Sequence, residues 1–317
     1  MKFSYNWLKE LSGYKSSAKD LAEFLMRRAF EVEGITRQGR DWAIEVKVLP
    51  NRVADASGHR GLAKEIATLK NLKFLGLARA WPRAGEARNA KLAEKTAPKA
   101  NDALKVKIEN PDDCPRYTAR VMTDVKVGSS PKWMRERLEV GGLQSVNNIV
   151  DAANYVMLEL GQPLHIFDFD KLQTHNNRKS DFRKLIVRRA RKGEKLLTLD
   201  DKTYALSPEV LVIADEVEPI AVAGIKGGKD SGVDGATKNI VLEAANFNLL
   251  RIRAASRILN LKTDASFRFE HGMDPNETAG AVDRLAELIQ QTAGGEILAG
   301  RADAYQRKLP PKKILFR

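Results

Sequence analysis

Residues 155–170, YVMLELGQPLHIFDFD, form the stretch around which the chain is organised. They begin as the apolar end of a helix, break at Gly161, Gln162 and Pro163, and continue as an extended run. A glycine and a proline two residues apart end a helix. His165 therefore follows a forced corner, and binding residues are often found where rigid elements hold such a position. Taken alone, this stretch also fits a polar core or rim residue at His165.

The composition is that of a soluble globular protein. The chain has 317 residues, of which 43% are hydrophobic and 7% aromatic, and this length allows two domains. No apolar run approaches the roughly 18 residues that span a membrane, and the start, MKFSYNWLKEL, lacks the apolar segment of a secretory signal. The single cysteine, Cys114, excludes an internal disulfide framework. We therefore expect a cytoplasmic protein with no membrane partner.

The net charge is +13, from 54 Lys and Arg against 41 Asp and Glu. This balance favours a polyanionic partner, nucleic acid first. Residues 177–195 are densely basic. Runs of charge are usually solvated surface, so this patch alone is weak support for RNA binding.

The pattern of predicted helices and strands has no regular alternation, so the expected fold class is α+β. We expect a small N-terminal α+β domain at 1–80 and a linker at 81–103, which is rich in Ala, Lys, Glu and Pro. A larger mixed α/β domain should follow at 104–305. Residues 306–317 resemble the start of a further, truncated domain.

Local patterns predict several element boundaries. Helical spacing of apolar residues from Leu21 predicts a helix that ends near Gly34. The alternation in AIEVKV, residues 43–48, predicts a strand. Ser145 is expected to begin the helix that leads to the corner before His165.

The sequence lacks the usual catalytic signatures: it has no phosphate-binding P-loop, no GxGxxG after a strand, no HExxH and no GxSxG. The four histidines show no metal-ligand spacing, so no metal site is expected. Counting residues neither supports nor excludes Ser-His-Asp catalysis. The histidines are His59, His165, His175 and His271.

Three patches join His165 as candidates. Residues 223–228, AGIKGG, form either a ligand-contacting backbone or a plain hairpin turn. Glu243, in the apolar run IVLEAANF, is costly to bury unless it has a partner, and a position that faces water is the alternative. Residues 263–266, TDAS, fit a pocket wall, or a loop in which Asp264 caps a helix or turn.

Together these segments resemble the beta subunit of bacterial phenylalanyl-tRNA synthetase. The resemblance covers essentially the whole chain except the linker, and the order and spacing of separate motifs make it specific. The motifs are MKFSYNWLKEL, LPNR with GLAKEIATL, YVMLELGQPLHIFD, AGIKGGKDSGV, IVLEAANF and LKTDASFRFEHGMDP.

The resemblance implies that residues 104–305 form an editing domain, which hydrolyses tyrosine wrongly esterified to tRNA(Phe). It implies no cofactor in this chain, although the whole synthetase uses ATP and Mg²⁺. The implied partners are tRNA(Phe) and the alpha subunit, in a heterotetramer of two alpha and two beta subunits. Carried over by position, the catalytic residues are His165 and Thr263, and the substrate-binding residues are Gly227, Glu243 and Ala265.

The chemistry of these residues is consistent with editing. Phenylalanine and tyrosine differ by one hydroxyl, and an apolar activation pocket rejects an added hydroxyl only modestly. A second site that hydrogen-bonds this hydroxyl supplies the remaining selectivity. Glu243 would accept the phenol O–H, with a backbone N–H near Gly227 as donor. His165 would orient a water or the terminal ribose, and Thr263 would contact the substrate end.

The sequence departs from the family pattern in three places. Only fourteen residues lead from Ile35 to Leu49, so the family's OB-type RNA-binding module is absent there. Gln144 stands where the family pattern leads us to expect arginine. The chain also stops before the family's C-terminal domains.

A non-catalytic RNA-binding or assembly module of the same fold is the alternative hypothesis. General nucleic-acid binding would explain the charge but none of the motifs.

Overall fold

The computed structural model describes residues 1–76, 99–174, 182–308 and 315. Most of the predicted linker and of the predicted segment 306–317 lies outside these residues, as does His175. The described chain mixes helices and several sheets, which confirms the predicted α+β class.

The helices occur in both halves of the described chain, and a short 3-10 turn, Pro50–Arg52, precedes α3. They are α1 (Tyr5–Ser12), α2 (Ala18–Arg28), α3 (Val53–Ala56), α4 (His59–Leu69), α5 (Ala100–Ala103), α6 (Lys132–Val140), α7 (Asn148–Leu160), α8 (Leu249–Ile258), α9 (Asp264–Phe269) and α10 (Glu277–Ala293).

The strands form sheets that are largely antiparallel. They are β1 (Lys2–Ser4), β2 (Glu31–Gln38), β3 (Asp41–Lys47), β4 (Leu104–Ile108), β5 (Arg116–Thr123), β6 (Leu164–Asp168), β7 (Arg183–Arg189), β8 (Lys195–Leu197), β9 (Thr203–Ala205), β10 (Leu211–Ala214), β11 (Pro219–Val222), β12 (Lys226–Gly227), β13 (Ile240–Asn246), β14 (Glu296–Ile297) and β15 (Ala302–Ala304).

The N-terminal region is a three-stranded sheet, ordered β1-β3-β2, with α1 and α2 beside it. A capping box between Ser17 and Asp20 starts α2. The predicted helix end near Gly34 is wrong, because α2 ends at Arg28 and Gly34 lies in β2. Pairing of β2 with β3, the next strand along the chain, decides this segment, and that pairing is not visible in residues 31–38 alone.

Two larger sheets build the remainder of the described chain. One has the order β14-β5-β13-β6, with β15 also paired to β5. The other has the order β12-β11-β10-β7-β4, in which the β4–β7 pair is parallel. A two-stranded ribbon, β8-β9, lies beside them, and its turn contains residues 200–202. In this arrangement β13 is a central strand, and every residue along it is buried.

The two faces of β13 point into different hydrophobic clusters. Leu242 and Ala244 belong to a cluster that includes residues of α7 and α10. Val241 and Ala245 belong to the other cluster, which includes residues of the second sheet. Because side chains alternate along a strand, Glu243 shares the face of Val241 and Ala245. Glu243 therefore lies on the side of β13 that faces the second sheet.

His59 joins the N-terminal region to the end of α7. Its Nε2 accepts a hydrogen bond from the Ser4 N–H at 2.8 Å, and its Nδ1 donates to the Leu158 carbonyl oxygen at 2.8 Å. Burial lowers the pKa of His59 to about 3, so the imidazole is neutral and holds this single tautomer. The hydrophobic cluster that contains Leu242 and Ala244 also includes residues of both predicted domains, 1–80 and 104–305. The division into those two domains stays a prediction.

Candidate functional site

Strand pairing places His165 beside Glu243. On antiparallel β6 and β13 these two residues are directly opposite, and on the other side of β13 the residue opposite Glu243 is Ala119. Directly opposed residues have Cβ atoms about 4.5–5.5 Å apart and point to the same face of the sheet. Two of the predicted site residues, 78 positions apart in sequence, therefore have adjacent side chains.

A cavity of about 80 Å³ opens on this face. Four of the five predicted site residues line it, together with apolar side chains such as Phe269. The four are His165, Gly227, Glu243 and Ala265. The structure thus brings these four residues to one place, while their individual roles stay predictions.

Gly227 forms the part of the cavity wall that lies against His165. A Cβ at this position would lie 2.4 Å from His165 Cε1 and 2.6 Å from its Nε2, far inside van der Waals contact. The glycine-rich patch at 223–228 was predicted to be either a hairpin turn or a backbone that contacts a ligand, and it has features of both. Gly224, with φ of +67°, makes the hairpin turn, and Gly227 allows the imidazole to approach the backbone.

Glu243 is buried, with only 4% of its surface exposed, so the alternative in which it faces water is wrong. Burial raises its pKa to about 8, and the nearby Tyr117 hydroxyl opposes part of that rise. Glu243 Oε2 is buried and has no hydrogen-bond partner among the described residues. At neutral pH the side chain is mainly a neutral carboxyl group, which both donates and accepts hydrogen bonds.

His165 is a neutral imidazole at neutral pH, because burial lowers its pKa to about 4. Its Nε2 is buried and has no hydrogen-bond partner in the described part of the chain. The ring packs edge-on against Phe167, with 4.6 Å between centroids. Two adjacent buried polar groups, on His165 and Glu243, are thus left with an unpaired atom at the cavity, an uncommon arrangement that points to a ligand.

Thr263 has a different position from the other four predicted residues. Its Oγ1 accepts a hydrogen bond from the Ser266 N–H at 3.0 Å and donates to the Ile225 carbonyl oxygen at 3.1 Å. Thr263 therefore caps α9, the role that the sequence suggested for Asp264, and ties this helix to the hairpin beside Gly227. Its proposed contact with the substrate end stays a prediction.

Sequence reasoning missed two neighbours of the cavity. Tyr117 is fully buried on β5, and its hydroxyl has no hydrogen-bond partner in the residues described. Lys226 lines the cavity and pairs with Asp200 at 2.9 Å. Hydrogen bonds from Thr198 and Lys226 lower the pKa of Asp200 to about 2. Lys226 belongs to the glycine-rich patch at 223–228, which indicated its position but not its ion pair, whereas only the alignment of β5 with β13 brings Tyr117 to the site.

The described helices include none with the length and apolar character needed to cross a membrane. Across residues 1–76, 99–174 and 182–308, no three His, Cys, Asp or Glu side chains come together as metal ligands.

Replacing Glu243 with glutamine is expected to stabilise the protein increasingly as pH rises. The unfolded carboxyl ionises near pH 4.5, whereas the folded one keeps its proton up to about 8. Between these values the unfolded state binds fewer protons, so the wild type loses about 1.4 kcal/mol of stability per pH unit from this group. Glutamine is neutral throughout. Urea unfolding of both proteins at pH 5, 7 and 9 measures the difference, and a constant difference would contradict the raised pKa.

Comparison with known proteins identifies the family. A family model described as "B3/4 domain" matches residues 113–294. The chain is 43% identical over 277 residues to the phenylalanine–tRNA ligase beta subunit of Anaeromyxobacter dehalogenans, covering 87% of this chain and 32% of that protein. The corresponding protein of Rhodopirellula baltica is 38% identical over 317 residues, covering 100% of this chain and 44% of the relative.

One solved structure that the comparison matches is an N-terminal fragment of the phenylalanyl-tRNA synthetase beta-subunit from Pyrococcus horikoshii. It has a TM-score of 0.43 and 14% sequence identity, covering 98% of this chain and 80% of that chain. The chain spans about a third of the length of three bacterial relatives that it matches. The matched model spans more than half of the 317 residues. The chain therefore belongs to the B3/4 domain family, and it resembles part of the phenylalanine–tRNA ligase beta subunit.

Proposed function

We propose that this chain is the editing portion of a phenylalanyl-tRNA synthetase beta subunit and hydrolyses tyrosyl-tRNA(Phe). One observation carries the proposal: His165 and Glu243 are adjacent at a small cavity, and each has a buried polar atom without a partner. A ligand with a polar group at the end of an apolar side chain would satisfy such atoms. The phenol of tyrosine has this character.

Glu243 would select tyrosine over phenylalanine. Its neutral carboxyl group can exchange hydrogen bonds with a phenol hydroxyl, while apolar residues such as Ile213 and Phe269 contact the ring. A phenylalanine side chain would leave Oε2 buried and unpaired, which costs about 1–3 kcal/mol. That range corresponds to roughly 5-fold to 150-fold discrimination.

His165 would position the attacking water rather than act as a strong base. In the reaction the water oxygen bonds to the ester carbonyl carbon, and the bond from that carbon to the ribose oxygen breaks. A proton passes from water to the ribose oxygen, which releases tyrosine and restores the terminal hydroxyl of the tRNA. An imidazole whose pKa is lowered to about 4 binds a proton weakly. An activated ester needs mainly a well-placed water, so positioning can suffice.

The remaining functional expectations belong to the same proposal. We propose a cytoplasmic protein that binds tRNA(Phe) through part of its basic surface, consistent with the net charge of +13. Ligation of phenylalanine, with ATP and Mg²⁺, would require the alpha subunit of a two-alpha, two-beta synthetase. No part of that reaction is assigned to the described residues.

Deacylation of tyrosyl-tRNA(Phe) by the chain tests the proposal. We expect hydrolysis well above the spontaneous rate, with phenylalanyl-tRNA(Phe) hydrolysed more slowly. Glu243→Ala should weaken this preference by roughly 10-fold or more, because it removes the carboxyl group that meets the phenol. Equal rates for the two tRNAs in the wild type would contradict the assigned specificity.

A non-catalytic RNA-binding or assembly module is the second candidate function. It is favoured by the position of Thr263, whose hydroxyl is engaged as a helix cap rather than directed at the cavity. Measurable tRNA binding without hydrolysis above the spontaneous rate would support this candidate over the editing enzyme.

A further inference from the structure

Tyr117 lies behind Glu243 on the same face of the sheet. In the β5–β13 register Tyr117 is opposite Ala245, and Ala119 is opposite Glu243. Residues two apart on one strand share a face, so Tyr117 is a diagonal neighbour of Glu243. Tyr117 does not line the cavity, whereas Glu243 does. The phenol of Tyr117 is therefore placed to contact the carboxyl group from the side away from the ligand.

Both side chains are buried in an otherwise apolar setting. Tyr117 is 0% exposed and belongs to a hydrophobic cluster with Cys114 and Phe167. Its hydroxyl oxygen and Glu243 Oε2 are both buried, and neither makes a hydrogen bond of ordinary geometry in the described residues. Even so, the hydroxyl is close enough to Glu243 to favour its ionised form. Buried polar atoms are rarely unpaired, so the Tyr117 hydroxyl indicates a contact with one carboxyl oxygen of Glu243, and the other oxygen is left for a ligand.

We infer that Tyr117 is a positioning residue for Glu243 that sets the preference for a phenolic ligand, an inference that rests on the proposed editing function. The Tyr117 O–H donates to one carboxyl oxygen of Glu243. This contact keeps the carboxyl proton on the other oxygen, which faces the cavity and donates to the phenol oxygen of the bound tyrosine. A phenylalanine ring offers no oxygen to accept that bond.

Tyr117→Phe is the direct test, because it keeps the ring and removes only the hydroxyl. We expect the preference for tyrosyl-tRNA(Phe) over phenylalanyl-tRNA(Phe) in kcat/KM to fall about tenfold, the usual effect of one lost hydrogen bond. The change should appear mainly in KM for the tyrosyl substrate. A purely structural role would instead lower the rates for both substrates alike.

A second measurement does not depend on activity. The carboxyl carbon of Glu243 in ¹³C-labelled protein is titrated by NMR and assigned by its absence in Glu243→Gln. Loss of the donor should move the titration midpoint to higher pH in Tyr117→Phe. The matched control is Tyr155→Phe, which removes a buried hydroxyl that bonds Arg137 in the other hydrophobic cluster. This control should leave the midpoint unchanged.

The outcomes separate this inference from the proposed function. A raised midpoint with reduced preference supports the positioning role. An unmoved midpoint overturns that role, whatever the activity. If the wild type hydrolyses neither tRNA, the editing function fails, and the titration still decides whether Tyr117 holds Glu243.

Discussion

Replacing Arg284 with methionine is expected to lower the free energy of unfolding by about 3–5 kcal/mol. Arg284 on α10 meets Glu159 on α7 in a bidentate pair, with Nε to Oε2 at 2.8 Å and Nη2 to Oε1 at 3.2 Å. Their side chains are 4% and 0% exposed. Methionine would leave the Glu159 carboxylate in the core without its cation, which is far costlier than losing a surface ion pair.

The double variant Glu159→Leu, Arg284→Met is the matched control. Since it removes both charges and keeps similar side-chain volume, we expect it to recover most of the lost stability. Urea unfolding of the three proteins measures the effect. A loss below 1 kcal/mol in Arg284→Met would show that Glu159 finds another partner or takes up a proton at little cost. The pair matters for the site because α7 ends at the corner that presents His165.

The corner before His165 could be predicted because its cause is local. Gly161 ends α7 in the left-handed conformation, with φ of +83°, and Pro163 cannot continue a helix. The prediction of where α7 starts was less accurate. Asn147, rather than Ser145, caps the helix, and Ser145 instead bonds Asp151 within it. Several residues near this helix start are able to cap, and the choice among them depends on the packed structure.

Strand β2 shows what a local pattern misses. Its pairing partner β3 supplies the hydrogen bonds and the neighbouring side chains that stabilise it, and neither is visible in the sequence of residues 31–38. The helix predicted from the spacing of apolar residues was therefore too long, because its end was placed near Gly34 instead of at Arg28. The second sheet depends on a more distant partner, since β4 pairs with β7 about eighty residues later.

In the candidate site, too, some features could be predicted from local motifs and others depend on strand pairing. Each predicted residue was identified through a motif that resembles a known family, but the adjacency of His165 and Glu243 follows from strand register alone. Tyr117 has no motif of its own, and it is identified only when β5 is aligned with β13. Thr263 is the opposite case. Its motif was recognised in the sequence, but in the structure its hydroxyl caps α9.

Replacing Gly227 with alanine is expected to reduce hydrolysis of tyrosyl-tRNA(Phe) on the order of 100-fold, because a shift of about 1 Å in a positioning group costs that much. The new Cβ would lie 2.4 Å from His165 Cε1, so the imidazole must leave its place against Phe167. Gly227 does not have a positive φ, and alanine therefore meets no backbone strain there. The fold should persist with a similar thermal midpoint.

Two comparisons tie this loss to His165. Gly235→Ala is the matched control, since a Cβ there has no neighbour within 4 Å, and it should leave both hydrolysis and stability unchanged. If alanine at 227 acts by displacing the imidazole, adding it to His165→Ala should slow hydrolysis little further, because the two changes remove the same group. Near-normal hydrolysis by Gly227→Ala would mean that the imidazole can move without consequence, and the positioning of water would then have to come from Glu243 or from the backbone of the β12 hairpin.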